Sequence, residues 1–269
     1  MLTNDVLLAL PMFTFEKNFD PIAFRNFFEK YSLLLVSIIV PFYIFSIFKL
    51  QKFMKTRKPF NLKFFLVIWN LFLAVFSFFG SYRSIPAFSN LIKSEGWRGG
   101  ACNNDSYKNK PEAVWWALFM LSKLPELLDT YLLILRKRRV IFLHWYHHAT
   151  VLAYSWLTFH FWFAGPHWFA TMNYSVHFIM YSYYAIMASK LFKVPKFISM
   201  MITILQILQM IVGMWVQYFQ SKFMNEEDCH TTKWFIYTGS VIYGSYFVLF
   251  MNFFIQNYFL KRNRNKKDI

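Results

Sequence analysis

Seven apolar runs, each long enough to cross a bilayer, dictate most of what this chain can fold into. They are Tyr31–Phe48, Leu62–Phe79, Ala113–Leu135, Val140–Phe163, Trp168–Ala188, Phe197–Gln220 and Trp234–Leu260. Roughly 18 or more apolar residues suffice for a helix to span the hydrocarbon core. In that medium each backbone N–H and C=O must be satisfied internally, which leaves helices or closed barrels. Runs of this length predict helices, hence an all-α integral membrane protein with seven transmembrane helices. Pro41 and Pro125 are expected to kink the first and third. Residues 1–30 read as an N-terminal segment, either lying in the interface or solvated. Residues 31–260 form the membrane domain and 261–269 a basic tail. The N-terminus lacks the basic-then-apolar pattern of a cleavable signal peptide.

A net charge of +16 would suggest nucleic acid in a soluble chain. Here the basic residues lie between apolar runs, which excludes a nucleic-acid face and matches the positive-inside rule. Loops 49–63, 136–139 and 190–196 and the tail 261–267 carry most of the Lys and Arg, and all fall on one side. That side is expected to be cytosolic, with the N-terminus luminal. Asn104-Asp105-Ser106 is an N-glycosylation sequon in a luminal loop. Cys102 and Cys229 stand in two different luminal loops, where a disulfide can persist; pairing and two free thiols both stay open. The C-terminal Lys266-Lys267-Asp268-Ile269 looks like a dilysine signal returning membrane proteins to the endoplasmic reticulum.

Four of the runs carry polar residues at helical spacing. The third holds Lys123, Glu126, Asp129 and Thr130; the fourth holds His144, His147 and His148, at i, i+3 and i+4. The fifth holds Asn173, His177, Tyr181 and Tyr184, and the sixth Thr203, Gln206 and Gln209. Each set has an ordinary reading as well: histidines capping a helix end near the lipid interface, glutamines as interhelical glue, tyrosines as an interfacial belt, Lys123–Glu126 as a structural pair. Depth argues for more. At a rise of ~1.5 Å per residue, Asp129, His147, Gln206 and His177 lie ~10–18 Å from the cytosolic ends of their helices. One band of polar groups inside a core ~30 Å thick describes a chamber reached from the cytosol.

Clustered histidines suggest metal, and His-x-x-His-His recurs in membrane di-iron desaturases and hydroxylases. Those use about eight ligands from several histidine boxes. This chain has seven histidines, of which His160, His167 and His230 fall at or near the luminal side. A di-iron centre is therefore under-supplied, and no metal or cofactor is expected. Without metal, a neutral imidazole serves as general base or nucleophile. No nucleophile-elbow serine, phosphate-cradling glycine loop or dinucleotide fingerprint is present. A transporter with intramembrane ionisable groups is a further alternative.

Lys123-x-x-Glu126-x-x-Asp129-Thr130, His144-x-x-His147-His148, Asn173-x-x-x-His177-x-x-Met180-Tyr181-x-Tyr183-Tyr184 and Thr203-x-x-Gln206-x-x-Gln209 together resemble the very-long-chain fatty acid elongases, over nearly the whole chain. The resemblance implies a 3-ketoacyl-CoA synthase condensing long-chain acyl-CoA with malonyl-CoA, releasing carbon dioxide and CoA. It implies seven helices, six forming a barrel around a narrow acyl tunnel closed at the luminal end, and a Cys102–Cys229 bridge. His147 is expected to attack the thioester, with His144, His148, His177 and Asn173 positioning substrate and Asp129 orienting an imidazole. Lys123, Glu126, Tyr181, Tyr184, Thr203, Gln206 and Gln209 are expected around the substrate. Arg136, Arg138, Lys196, Lys261 and Arg262 are placed to meet CoA phosphates. Trp145 inside the histidine box resembles the members acting on saturated and monounsaturated chains. Expected partners are the bilayer, the reductases and dehydratase of the elongation cycle, and a second copy in a homo-oligomer.

Overall fold

The computed structural model describes residues 11–104, 107, 110–226 and 229–260, and among them every regular element is helical. In chain order these are α1 (Thr14–Asn18), α2 (Pro21–Met54), α3 (Lys63–Cys102), α4 (Lys110–Glu126), α5 (Leu128–Leu135), α6 (Phe142–His160), α7 (Pro166–Ser189), α8 (Lys196–Phe223) and α9 (Lys233–Phe254), the last continued by a π turn over Ile255–Leu260. Four helical stretches are long and apolar enough to cross a membrane by themselves: Pro21–Met54, Lys63–Cys102, Lys196–Phe223 and Lys233–Leu260. The chain is a multi-pass membrane protein. Its outer surface is correspondingly apolar, with Phe64, Phe42 and Phe72 all more than half exposed.

Local chemistry sets the ends. Asp20 caps α2 by accepting from the backbone of Ile22 at 2.9 Å and Ala23 at 3.0 Å, and Pro21 opens the first turn, where its missing N–H costs nothing. The helix then runs through Pro41 without interruption. The third predicted run breaks instead. Pro125 cannot donate to the ladder, and Leu127 and Thr130 make tight three-residue bonds back to Leu124 and Leu127. α4 and α5 are the two pieces.

Two expectations need correction. The second run was expected to end at Phe79, yet α3 continues to Cys102, with non-helical backbone at Gly96. The continuation survives because its polar residues are met inside. Arg83 is buried and pairs with Glu16, and Ser84 bonds back to the carbonyl of Gly80 at 2.7 Å. At Gly80 the Tyr174 ring of α7 packs against the α3 backbone, where any Cβ would overlap it. The second correction concerns the first run, expected to begin at Tyr31: α2 begins at Pro21, so the described part of residues 1–30 is largely helical, and most of its side chains are exposed. Among those described, Glu16 of α1 is fully buried, held by Arg83 and, at 2.6 Å, by the indole of Trp115.

α3 packs along α7, α7 against α8, α8 against α9, α9 against α6, α6 against α4, and α4 against α3. α2 lies against α6, α5 and α4. The two ends of the bundle differ. At one, a disulfide joins Cys102 to Cys229, Ala164 donates to the His230 carbonyl, and Gln220 donates to the carbonyls of Ala101 and Ala164. At the other, Lys137 reaches the Lys55 carbonyl and Phe60 donates to that of Leu135. We call these the disulfide end and the basic end.

Candidate active site

The histidine box occupies the first turns of α6, where the i, i+3, i+4 spacing turns three imidazoles inward. The rings of His144 and His148 lie 4.6 Å apart, and those of His147 and His148 5.5 Å. His144 Nε2 and His148 Nδ1 are buried with no hydrogen-bond partner among the described residues. Such atoms cost about 1–3 kcal/mol each until a polar group meets them, which is the environment a polar ligand would satisfy.

His147 differs from its neighbours in lining a narrow cavity, together with Asn173 and Met172 of α7, Gln209 of α8 and Tyr246 of α9. The Tyr246 ring packs 4.9 Å from the His147 ring, and its hydroxyl is shared with Thr150 at 2.6 Å. From His147 the cavity follows one face of α6, past Val151, Ser155 and Phe159, toward the disulfide end. Those positions recur at one-turn spacing and cover ~18 Å of helix. The lower walls are mainly aromatic, with Trp116, Phe169 and Tyr243. The hydroxyls of Tyr107, Ser155 and Thr158 bond to the protein itself, so that end presents little unmet polarity.

A second group of polar side chains reaches this cavity through Asn173. Lys123 of α4 donates to Glu126 Oε1 at 2.7 Å and to Asn173 Oδ1 at 3.0 Å. Asn173 Nδ2 stands 3.0 Å from His177 Nε2, and His177 Nδ1 lies 3.9 Å from Glu126 Oε1. Ser122 supplies Glu126 Oε1 with another donor at 3.0 Å. Lys123 and Glu126 are both buried. A buried charge persists only when paired and hydrogen-bonded, and this pair is.

Asp129 was expected to orient an imidazole. Both its oxygens are engaged otherwise, Oδ1 by the indole N–H of Trp69 at 2.7 Å and Oδ2 by the hydroxyl of Tyr181 at 2.8 Å. The carboxylate thus ties α3 to α5 and α7. Thr130 pairs with Tyr43 of α2 at 2.6 Å. Thr203 bonds to the Ser199 carbonyl and Tyr258, and Gln206 donates to the sulfur of Met180 at 3.3 Å. Tyr184 is exposed, as are Arg138 and Lys196, while Arg136 is half-buried at the basic end. Lys261, Arg262 and the dilysine tail lie outside the described residues, as do Asp105 and Ser106 of the sequon. Asn104 donates to the Trp162 carbonyl at 3.3 Å. His167, in the first turn of α7 at the disulfide end, is buried against Trp116, and His160 pairs with Ser32 at 2.7 Å. Trp69 and Tyr246 were not foreseen.

No group of three or more His, Cys, Asp or Glu close enough to hold a metal occurs among the described residues. The arrangement offers an imidazole facing a mainly apolar cavity, with amide and ammonium groups beside it.

A family model described as ELO, GNS1/SUR4 family, matches residues 27–267. The chain is 40% identical over 267 residues to the very long chain fatty acid elongase 6 of Gallus gallus, covering 98% of this chain and 99% of that one. It is equally similar, with the same coverage, to the very long chain fatty acid elongase 6 of Homo sapiens. It is 40% identical over 234 residues to the human very long chain fatty acid elongase 3, covering 87% of this chain and 86% of that one.

Proposed function

The chain belongs to the ELO, GNS1/SUR4 family, and from that membership we propose that this enzyme of very-long-chain fatty acid elongation acts as a 3-oxoacyl-CoA synthase through an acyl group carried on His147. The observation that carries the proposal is that His147, Asn173 and Gln209, from three helices, line one cavity that continues as an apolar channel.

In the first half-reaction, an imidazole nitrogen of His147 attacks the thioester carbonyl of a long-chain acyl-CoA. An N–acyl bond forms, the C–S bond breaks, and CoA leaves with the proton that the ring gives up. In the second, malonyl-CoA loses carbon dioxide, and its electron pair becomes an enolate that attacks the acyl carbon. The new C–C bond displaces the imidazole, which takes up a proton. Asn173 meets the two thioesters and their developing oxyanions beside His147, His177 positions that amide, and the unmet ring nitrogens of His144 and His148 offer further polar contacts. The reaction so written balances without metal or redox cofactor.

The pairwise packing of α3, α7, α8, α9, α6 and α4 returns to its starting point, which supports a six-helix barrel, with α2 outside and α5 continuing α4. In this reading the acyl chain occupies the channel along α6, closed at the disulfide end. The CoA nucleotide stays at the basic end near Arg136, Arg138 and Lys196, with Lys261 and Arg262 of the tail. The basic end is cytosolic, the disulfide end luminal, and the membrane that of the endoplasmic reticulum. The product passes to the reductases and dehydratase of the cycle. Saturated and monounsaturated acyl-CoAs are the proposed substrates.

Purified protein incubated with malonyl-CoA and a panel of acyl-CoAs tests the reaction. The expected result is carbon dioxide release that needs both thioesters and yields 3-oxoacyl-CoA. Release independent of the acyl-CoA would reject it.

A further inference from the structure

A second concavity lies outside the bundle, on the face of α2 that meets α5. Phe42, Phe45, Lys49, Lys52 and Phe53 form its α2 wall, spaced so that they share one face over three turns. Ser46 and Tyr131 of α5 make its floor, their hydroxyls bonded to each other. It is distinct from the channel at His147, with which it shares no lining residue.

The groove changes character along its length. Phe42 and Phe45 are 65% and 60% exposed and give one apolar end. About 10 Å further along the helix, Lys49 and Lys52 give a cationic end, and neither has an acidic partner among the described residues. The Arg57 guanidinium sits 3.9 Å over the ring of Phe53 and adds a third positive charge. The Lys49 ammonium lies 5.3 Å from the ring of Phe45, where the two characters meet.

We propose that this groove binds an anionic phospholipid, its phosphate against Lys49, Lys52 and Arg57 and one acyl chain over Phe42 and Phe45. Charge complementarity selects the headgroup, because no acid lines the groove. The phenylalanines select a lipid over a free anion, which would gain nothing from them. The order of the two features matches a lipid whose headgroup sits at the basic end. The inference rests on the groove and does not depend on the condensing reaction.

Native mass spectrometry of the detergent-purified full chain, titrated with phosphatidylinositol or phosphatidylcholine, tests it. Wild type is expected to retain phosphatidylinositol preferentially. K49Q/K52Q is expected to weaken that binding about 30-fold, with phosphatidylcholine binding and basal carbon dioxide release unchanged. K49R/K52R keeps the charges and is expected to bind as wild type does. Equal retention of both lipids by wild type would overturn the proposal. So would undiminished phosphatidylinositol binding by K49Q/K52Q, or loss of binding by K49R/K52R. Displacement of the lipid by inorganic phosphate would assign the groove to a free anion, and displacement by palmitoyl-CoA would assign it to substrate.

Discussion

Lys123 sets the tautomer of His177 without touching it. Its ammonium donates to Asn173 Oδ1 at 3.0 Å, so the amide N–H2 of Asn173 is the end that faces His177 Nε2, also at 3.0 Å. A ring nitrogen that accepts carries no proton, and the His177 proton therefore sits on Nδ1. That nitrogen turns toward Glu126 Oε1, 3.9 Å away, and Glu126 closes the circuit back to Lys123. Hydrogen bonds thus run from Glu126 through Lys123 and Asn173 to His177, and Asn173 also opens onto the channel beside His147.

Breaking that circuit should cost turnover more than folding. Asn173→Leu frees His177 to rotate while Lys123 keeps its pairing with Glu126. We expect kcat for malonyl-CoA-dependent carbon dioxide release to fall about 100-fold, in line with the cost of ~1 Å misplacement at a reacting centre. The thermal midpoint in detergent should change little. Turnover close to wild type would show that His177 needs no such orientation.

The N-terminal segment is held by a buried charge pair whose removal can be read in stability. Burial alone would raise the Glu16 pKa, but hydrogen bonds from Arg83, Trp115 and the Phe13 backbone outweigh it and hold the carboxyl below its ordinary range. A depressed folded-state pKa means the contribution is complete above the unfolded value and is lost as pH falls through the folded one. Glu16→Gln leaves Arg83 buried without its counter-charge, a change worth about 3–5 kcal/mol. Thermal unfolding of the variant should show a lowered midpoint at pH 7, with the gap to wild type closing in acid. A gap independent of pH would contradict the assignment.

The bond between Cys102 and Cys229 closes a segment of 127 residues containing α4 to α8. Constraining so long a loop restricts the unfolded chain by about 4–5 kcal/mol in the chain-entropy model, with measured effects often smaller. Cys102→Ser should lower the thermal midpoint, and reductant should do the same to wild type but leave the variant unmoved. A variant still sensitive to reductant would point to another cause.

The seven membrane-length runs each correspond to helix, because apolar length and the demand for internal hydrogen bonds leave few other outcomes. The continuation of α3 was not legible. Gly80, Arg83 and Pro86 read locally as a loop, and what keeps them helical is Glu16, 67 residues away from Arg83. The inward groups were legible where helical spacing stacked them, as with Lys123 and Glu126 or Asn173 and His177. Trp69 and Tyr246 carried no such signal. In a chain that is 23% aromatic, one indole or phenol among many is marked only by its partner, and Asp129 and Thr150 sit on other helices. The same blindness misassigned Asp129, whose spacing says which way it faces but not what meets it.

Mass spectrometry of the intact protein after incubation with palmitoyl-CoA alone tests the acyl-imidazole route most directly. We predict a mass increase of one acyl group, mapping to the peptide that contains His147, with release of one equivalent of CoA and no adduct in a folded His147→Ala variant. Enzyme that condenses when malonyl-CoA is added, yet carries no acyl group and frees no CoA beforehand, would contradict it.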